Sequence, residues 1–311
     1  MKTVIVTGAT GMIGISLVEF LLEKDINVLA IVRENSKRKK FLRLNKNLKI
    51  IECSLENYKS LNQIEINNCD TFIHLAWNGT DHETRDNIEV QNTNIDYTID
   101  AIKLAKKFGC KTFIGAGSQA EYGIVNKIIS ENDKTDPVLA YGKAKLEAYN
   151  KGKILANELK INFIWPRIFS CYGPYDNYFT MIMQSIQTMI EKNISPDYTK
   201  AEQLWDYIYS KDVAKAYYLL GIFGKNKEIY NIAQGENKPL IEYIKIIREQ
   251  INPNIVLKVG KIPYRDNQTM SLRVSIDKLK NDTGFYPSYN FQDGIAETIN
   301  WYKKGGIYEK N

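Results

Sequence analysis

Short apolar runs alternate with amphipathic stretches along the first half of the chain. Runs of consecutive apolar residues at 3–7, 27–32, 48–52, 71–76, 111–116 and 162–166 have the length of β-strands. Strands that are apolar on both faces are typical of parallel sheets covered by helices. Helical patterns lie between them, at 12–24, 36–44, 85–108 and 141–159. The alternation predicts an α/β fold with a doubly wound parallel sheet of the Rossmann type.

The alternation of apolar strands and helical patterns ends after residue 167. Helical patterns follow at 178–192, 239–250 and 292–303, with a strand–helix pair at 205–222. We predict a first domain over 1–166 and, over 167–311, mainly a smaller α/β lobe. No Pro- or Ser-rich linker separates them, so we expect the two to be interleaved, with segments near 205–230 returning to the first domain.

Composition and charge narrow the classes of function. The chain has 311 residues, 44% hydrophobic and 25% charged, which is ordinary globular composition. The net charge of +6 is mild, and nucleic-acid binders usually carry a concentrated basic stripe. We therefore expect no nucleic-acid partner. A strand begins almost at once and no apolar run has the length of a membrane span, which predicts a cytoplasmic protein with no membrane contact.

Metal binding is not expected. The four cysteines form no CxxC pair, and their spacings match no metal pattern. The two histidines, His74 and His82, are too few for a His-rich site. His74 lies within a predicted strand, where a structural role is expected.

A glycine-rich turn joins the first strand to the first helix. Glycines at 8, 11 and 14 allow a tight turn, close approach of the backbone to a pyrophosphate, and close contact between helix and sheet. The helix N-terminus offers free N–H groups to phosphates. This context predicts a dinucleotide site. Its first contacts are predicted to be Gly8, Thr10, Gly11, Met12 and Ile13.

The end of the second strand bears on the type of cofactor. NAD enzymes tend to place an acidic residue there, whereas this chain has Arg33, followed by Ser36, Lys37 and Arg38. Cationic and hydroxyl groups suit a 2′-phosphate. We favour NADP(H), with NAD(H) as the alternative, and expect the neighbouring Glu34 to point away.

The Gly-x-x-Gly-x-x-Gly spacing resembles the short-chain dehydrogenase/reductase superfamily. The chain length resembles its extended branch, the NAD(P)-dependent nucleotide-sugar epimerases, dehydratases and reductases. After the third strand, Ser54 and Leu55 stand where this superfamily often has Asp-Leu against the adenine. The resemblance implies further cofactor contacts from later strand ends: Leu75, Ala76, Trp77, Pro166 and Ile168.

A tyrosine and a lysine four residues apart begin a long helical pattern. This spacing places Tyr141 and Lys145 on one helix face. A nearby ammonium stabilises a phenolate, which would let Tyr141 exchange protons at neutral pH. Upstream, the segment 115–123 resembles the superfamily's serine-containing loop. The resemblance implies a catalytic triad of Ser118, Tyr141 and Lys145, in which Lys145 also holds the nicotinamide ribose.

The same loop argues against dehydration. Nucleotide-sugar 4,6-dehydratases carry an Asp-Glu pair directly after the Ser/Thr, whereas this chain has Gln119 and Ala120. Neither can transfer a proton usefully. Glu121 follows one position too late, and we expect it to point into the fold.

Two later segments resemble the family's substrate-binding regions. In 166–174, Ser170 replaces a common Asn, and in 203–213, Trp205 replaces an Arg that binds diphosphate. Arg265 could supply that charge, or it could form a surface ion pair. This last segment and the overall pattern look like reductases of 4-keto-6-deoxy nucleotide sugars, of the CDP-abequose synthase type. The implied substrate contacts are Trp77, Asn78, Ser118, Gln119, Ala120, Arg167, Ser170, Trp205 and Arg265.

The leading hypothesis is an NADPH-dependent 4-ketoreductase of a nucleotide-diphosphate sugar. Its first alternative is a 4-epimerase that retains NAD(P), and its second is a non-catalytic dinucleotide sensor. By analogy with family members, helices near 85–108 and 141–159 could form the interface of a homodimer.

Overall fold

The computed structural model describes residues 1–64, 66, 69–81, 83–266 and 268–306. Its strands are β1 (Thr3–Thr7), β2 (Asn27–Val32), β3 (Leu48–Glu52), β4 (Thr71–His74), β5 (Thr112–Ile114), β6 (Gly117–Ser118), β7 (Asn162–Ile168), β8 (Cys171–Tyr172), β9 (Leu204–Trp205), β10 (Ile208–Tyr209), β11 (Ile229–Ile232) and β12 (Lys238–Pro239). Its α-helices are α1 (Met12–Glu23), α2 (Ile88–Lys107), α3 (Ala140–Glu158), α4 (Met181–Lys192), α5 (Ser210–Phe223), α6 (Leu240–Ile251), α7 (Asp277–Thr283) and α8 (Phe291–Lys303).

Parallel strands form the central sheet in the order β11-β7-β5-β4-β1-β2-β3, and β6 pairs with the carboxyl end of β7. Strand β1 lies between β2 and β4, in register at Val4↔Val28 and Val4↔Thr71. The chain order reverses direction at β1. In doubly wound sheets, ligands bind at such a reversal, beyond the carboxyl ends of the strands.

Helices cover both faces of this sheet. On one face, α1 and α5 bury residues such as Leu17 and Leu220 in one core cluster. On the other, α2 and α3 bury Ile102 and Ala148 in a second cluster. The doubly wound parallel sheet predicted from the apolar runs is thereby confirmed.

A smaller unit lies beyond the sheet. Helices α4, α6 and α8 contact one another and enclose a third core cluster that includes Ile186, Ile244 and Ile295. Two short strand pairs, β8 with β10 and β9 with β12, form separate two-stranded sheets. Within the described residues, no helix is both long and apolar enough to cross a membrane.

Several elements differ from the sequence pattern. The helix predicted at 36–44 is a short 3-10 helix, Lys37–Phe41, because tertiary contacts hold it: Arg38 donates to the Tyr175 carbonyl at 2.7 Å, and the Phe41 and Tyr175 rings are 4.8 Å apart. Strand β11 and helix α7 were not predicted. Strands β4 and β5 end earlier than expected because the chain leaves the sheet there to line a cleft.

Candidate functional site

A cleft of about 660 Å³ lies beyond the carboxyl ends of the central strands. This is within the size range of ordinary ligand pockets. Most of the residues predicted from the sequence line it: Gly8, Thr10, Gly11, Met12, Ile13, Arg33, Leu55, Leu75, Ala76, Trp77, Asn78, Ser118, Gln119, Tyr141, Lys145, Ile168, Ser170 and Trp205. Seven predicted residues are not part of the lining: Ser36, Lys37, Ser54, Ala120, Pro166, Arg167 and Arg265.

The glycine turn forms one wall of the cleft. Gly8 has φ +66°, and a Cβ on it would lie 2.7 Å from the Ala76 nitrogen, so the turn requires glycine both for its conformation and for space. Helix α1 begins directly after Gly11, which provides no side-chain cap. The first N–H groups of α1 therefore face the cleft without a capping side chain, and this arrangement fits a pyrophosphate.

The far end of the cleft carries two arginines. Arg33 and Arg38 both line it, and Arg38 is 6% exposed. The Glu34 carboxylate accepts hydrogen bonds from the Ser54 hydroxyl and, at 3.3 Å, from the Ser54 N–H. The Glu34 carboxylate thus points towards Ser54, and neither residue is part of the cleft lining.

Two other residues predicted to contact the cofactor at this end, Ser36 and Lys37, do not line the cleft. Ser36 is buried behind the glycine turn, where its hydroxyl donates to Thr10 Oγ1 at 3.3 Å. Lys37 is exposed, because the 3-10 helix turns Arg38 rather than Lys37 towards the cleft.

Ser118 and Tyr141 converge on the middle of the cleft. Ser118 lies at the end of β6 and is 7% exposed; its hydroxyl accepts from the Ala120 N–H at 3.2 Å. Tyr141 is in the first turn of α3, which is fixed by a hydrogen bond from the Ala140 N–H to the Asp86 carboxylate at 2.8 Å. The Ser118 side chain also lowers the pKa of Tyr141.

Lys145 is buried beside this pair. Its ammonium donates to the Ala116 carbonyl at 2.7 Å and lies 3.5 Å from the centroid of the Trp77 ring. Burial lowers the pKa of Lys145 to about 7. Burial raises the pKa of Tyr141, and the opposing influences are Arg85 and Ser118. Arg85 is the largest influence that lowers the pKa of Tyr141, and the role expected of Lys145 stays a prediction.

Glu121 and Arg167 form a buried ion pair behind the serine loop. Glu121 is 0% and Arg167 2% exposed, and the Arg167 Nε donates to the carboxylate at 2.8 Å. The carboxylate also accepts from the Ser118 N–H at 2.8 Å and from the Trp165 indole at 3.1 Å. Glu121 thus points into the fold. The Arg167 Nε is paired with Glu121 and the residue is not part of the cleft lining, so its substrate contact stays a prediction.

Three further residues predicted to contact ligands lie outside the cleft lining: Ala120, Pro166 and Arg265. Ala120 contributes its N–H to Ser118 rather than to the cleft. Pro166 is buried within β7, paired with Tyr230 of β11. Arg265 is exposed, in a segment that lies along β9 and bonds Leu204 N to the Met270 carbonyl at 3.0 Å. The substrate contact expected of Arg265 therefore stays a prediction, outside the cleft lining seen here.

The part of the cleft predicted to bind substrate carries aromatic side chains. Trp205 and Tyr207 line it, and the Trp205 Nε1 is shielded from solvent with no hydrogen-bond partner in the described structure. Trp77 meets the Tyr141 ring edge-on at 6.1 Å, and its indole donates to Gln91 at 2.9 Å. Trp77 therefore contacts Tyr141 and Lys145 as well as lining the cleft.

Sequence reasoning missed Arg85 and Asp176, which both line the cleft. Burial raises the pKa of Asp176 to about 7, and its carboxylate accepts from the Thr180 hydroxyl at 3.0 Å. Arg85 follows the carboxyl end of β4, where parallel sheets present their ligand contacts. That position was an available signal for Arg85.

His74 has the structural position expected of it. It is 3% exposed, and its Nδ1 forms a hydrogen bond with Thr7 Oγ1 at 2.8 Å. Burial lowers its pKa to about 3. The second histidine, His82, lies outside the described residues. Among the residues described, no group of three or more His, Cys, Asp or Glu side chains could hold a metal ion.

Known proteins resemble this chain over nearly its whole length. A model of the NAD dependent epimerase/dehydratase family matches residues 4–233. CDP-abequose synthase of Salmonella typhimurium is 27% identical, covering 95% of this chain and 97% of that protein. The dTDP-4-dehydro-6-deoxyglucose reductase of Escherichia coli is 26% identical, covering 95% and 96%. The solved structure of UDP-N-acetylglucosamine 4-epimerase from Methanobrevibacter ruminantium M1 has a TM-score of 0.87 at 24% identity, covering 98% and 99%, which supports the fold.

Proposed function

The chain belongs to the NAD dependent epimerase/dehydratase family, and on that premise we propose that it is an NADPH-dependent 4-ketoreductase of a nucleotide-linked 6-deoxy sugar. The observation that carries the proposal is the placement of Ser118 and Tyr141 in the same cleft as the glycine turn. Relatives that include a nucleotide-sugar reductase support the substrate class. The family resemblance inferred from the glycine spacing is confirmed by these matches.

The cleft can supply every group that a ketone reduction requires of the protein. A bound nicotinamide would supply the hydride. Ser118 would donate a hydrogen bond to the carbonyl oxygen of the sugar, and Tyr141 would protonate the alkoxide as it develops. Lys145, with its pKa near 7, would bind the nicotinamide ribose hydroxyls.

Water elimination has no support from these residues. Gln119 and Ala120 occupy the positions directly after Ser118. The nearest carboxylate in that loop, Glu121, is held by Arg167 and lies outside the cleft lining.

The preference for NADPH rests on Arg33 and Arg38. Both line the end of the cleft where an adenosine ribose would lie, and guanidinium groups suit a 2′-phosphate. The smaller unit built from α4, α6 and α8 would cover the sugar nucleotide, and we propose that 167–311 is mainly the substrate lobe. A homodimer formed through α2 and α3 completes the proposal.

One observation favours a second candidate, a 4-epimerase with retained NAD. Glu34 stands beside Arg33 at the end of β2, and an acidic residue there is typical of NAD enzymes. Its present engagement with Ser54 would have to change for Glu34 to reach a ribose 2′-hydroxyl.

A substrate panel tests the proposal and separates it from the epimerase. CDP-, GDP-, UDP- and dTDP-linked 4-keto-6-deoxy sugars would be mixed with the enzyme and NADPH, and NADPH oxidation would be followed. We expect NADPH to be consumed in equal amount to a reduced sugar. Interconversion of a 4-hydroxy sugar by protein that retains its cofactor, with no use of added NADPH, would contradict the reductase.

Tyr141→Phe provides the control for this panel. The variant retains the aromatic contact with Trp77 but has no proton to transfer. It should bind NADPH as the wild type does and should fail to reduce the sugar. Activity that survives in this variant would contradict the role given to Tyr141.

A further inference from the structure

Arg85 lies against the face of the Tyr141 ring. Its guanidinium carbon is 4.4 Å from the ring centroid, and the residue lines the same cleft. The Arg85 carbonyl accepts from the Tyr141 N–H at 3.2 Å, and the neighbouring Asp86 accepts from the Ala140 N–H at 2.8 Å. Two hydrogen bonds therefore fix this loop to the first turn of α3.

The other cation near Tyr141 points elsewhere. The Lys145 ammonium is 5.6 Å from the Tyr141 ring centroid but only 3.5 Å from that of Trp77. It also donates to the Ala116 carbonyl at 2.7 Å. In contrast, the Arg85 Nε is shielded from solvent and has no hydrogen-bond partner among the described residues. Of these two cations, the Arg85 guanidinium is therefore the nearer to the centroid of the Tyr141 ring.

We propose that Arg85 is a positioning residue for Tyr141, whose fixed positive charge stabilises the phenolate form of the tyrosine. The inference deepens the proposed hydride-transfer function and rests on it, because that function requires Tyr141 to give up and regain a proton. A cation at this distance favours the ionised form of an acid.

The charges that face Tyr141 from the surrounding elements agree with this assignment. Burial raises the pKa of Tyr141, Arg85 is the strongest influence that lowers it, and Ser118 lowers it further. Glu121 raises it, but its charge is countered by Arg167. Lys145, on the same helix, and Tyr217, on α5, are the other titratable groups nearby.

The direct test measures the ionisation of Tyr141 without turnover. Protein carrying ring-labelled tyrosine would be saturated with NADP⁺, or with NAD⁺ if that binds more tightly, and Tyr141 would be assigned by the resonance lost in Tyr141→Phe. At a fixed alkaline pH, Arg85→Gln should lower the ratio of ionised to neutral Tyr141 about tenfold, equivalent to a shift of about one pKa unit. Arg85→Lys keeps the charge and should stay close to the wild type.

Arg43→Gln is the matched control, since that arginine is 86% exposed and lies outside the cleft lining. It should leave the ratio unchanged. The proposal is overturned if Arg85→Gln leaves the ratio unchanged, or if Arg85→Lys loses as much ionisation as Arg85→Gln.

A pH profile supplies the second readout. Ketone reduction needs neutral Tyr141 as the acid, so activity falls as the pH rises through its pKa. In Arg85→Gln this alkaline limb should move upward by about the same unit. A shift in the Tyr141 titration without turnover on any sugar would support the inference and remove the proposed function. Turnover of a sugar together with an unchanged Tyr141 titration in Arg85→Gln would support the proposed function and overturn the inference about Arg85.

Discussion

Replacing Glu121 with glutamine should strongly destabilise the protein. The carboxylate is fully buried and accepts three hydrogen bonds, from Arg167, Ser118 and Trp165. Glutamine removes the negative charge, leaves the Arg167 guanidinium buried without a counterion, and turns an N–H₂ group towards donors. Breaking a buried pair on one side costs about 3–5 kcal/mol in the free energy of unfolding.

Urea denaturation followed by circular dichroism measures this loss. The matched control is Glu147→Gln, which removes a half-exposed pair with Lys151 on the same chain and should cost about 0.3–0.5 kcal/mol. Adding Arg167→Met to Glu121→Gln removes the buried charge and should restore part of the stability.

A loss of less than about 1 kcal/mol in Glu121→Gln, similar to that of a surface pair, would refute the buried-pair argument. A stable variant that is nonetheless inactive would point instead to a direct catalytic role for Glu121.

Three further predictions concern the fold and the cofactor end of the cleft. The pKa of His74 is about 3 in the folded protein, so as the pH is lowered below 6.5 the unfolded chain binds a proton that the folded chain does not. The free energy of unfolding should therefore decrease by up to about 1.4 kcal/mol for each pH unit lowered, relative to His74→Gln. The same pH dependence of stability in both proteins would contradict this. Arg33→Ala should weaken NADPH binding roughly 10- to 100-fold in fluorescence titrations and leave NADH binding nearly unchanged; equal losses for both cofactors would argue against a 2′-phosphate contact. In Gly14→Ala the new Cβ would lie 2.2 Å from the Gly8 carbonyl oxygen, so the variant should lose cofactor binding and about 1–3 kcal/mol of stability, whereas normal NADPH affinity would contradict the tight turn.

The sheet and the glycine turn could be predicted from the sequence because both depend on local patterns. Buried parallel strands such as β1 and β2 are continuous apolar runs, and only glycine suits the positive φ and close contact at Gly8. The short strand β11 was missed because it has only four residues, Ile229–Ile232, one of which is the polar Asn231, and because it pairs with a strand distant in the chain, β7.

The chemistry of the cleft was harder to foresee because it depends on contacts between distant segments. Arg167 resembled a ligand-binding residue, and only the folded chain brings Glu121 to its guanidinium. Arg85 and Lys145 are both cations near Tyr141, and sequence spacing alone favoured the lysine. The loop bonds that place Arg85 on the ring, and the Trp77 face that takes up Lys145, appear only in three dimensions.

The most direct test of the central claim follows the hydride itself. NADPH carrying deuterium at the transferable position of nicotinamide C4 would be incubated with the enzyme and the 4-keto sugar nucleotide it turns over, and the product would be examined by mass spectrometry and NMR. The account predicts deuterium at C4 of the sugar, in equal amount to the oxidised cofactor, and none with Tyr141→Phe. A sugar product with no deuterium, formed while the added NADPH remains unoxidised, would contradict it.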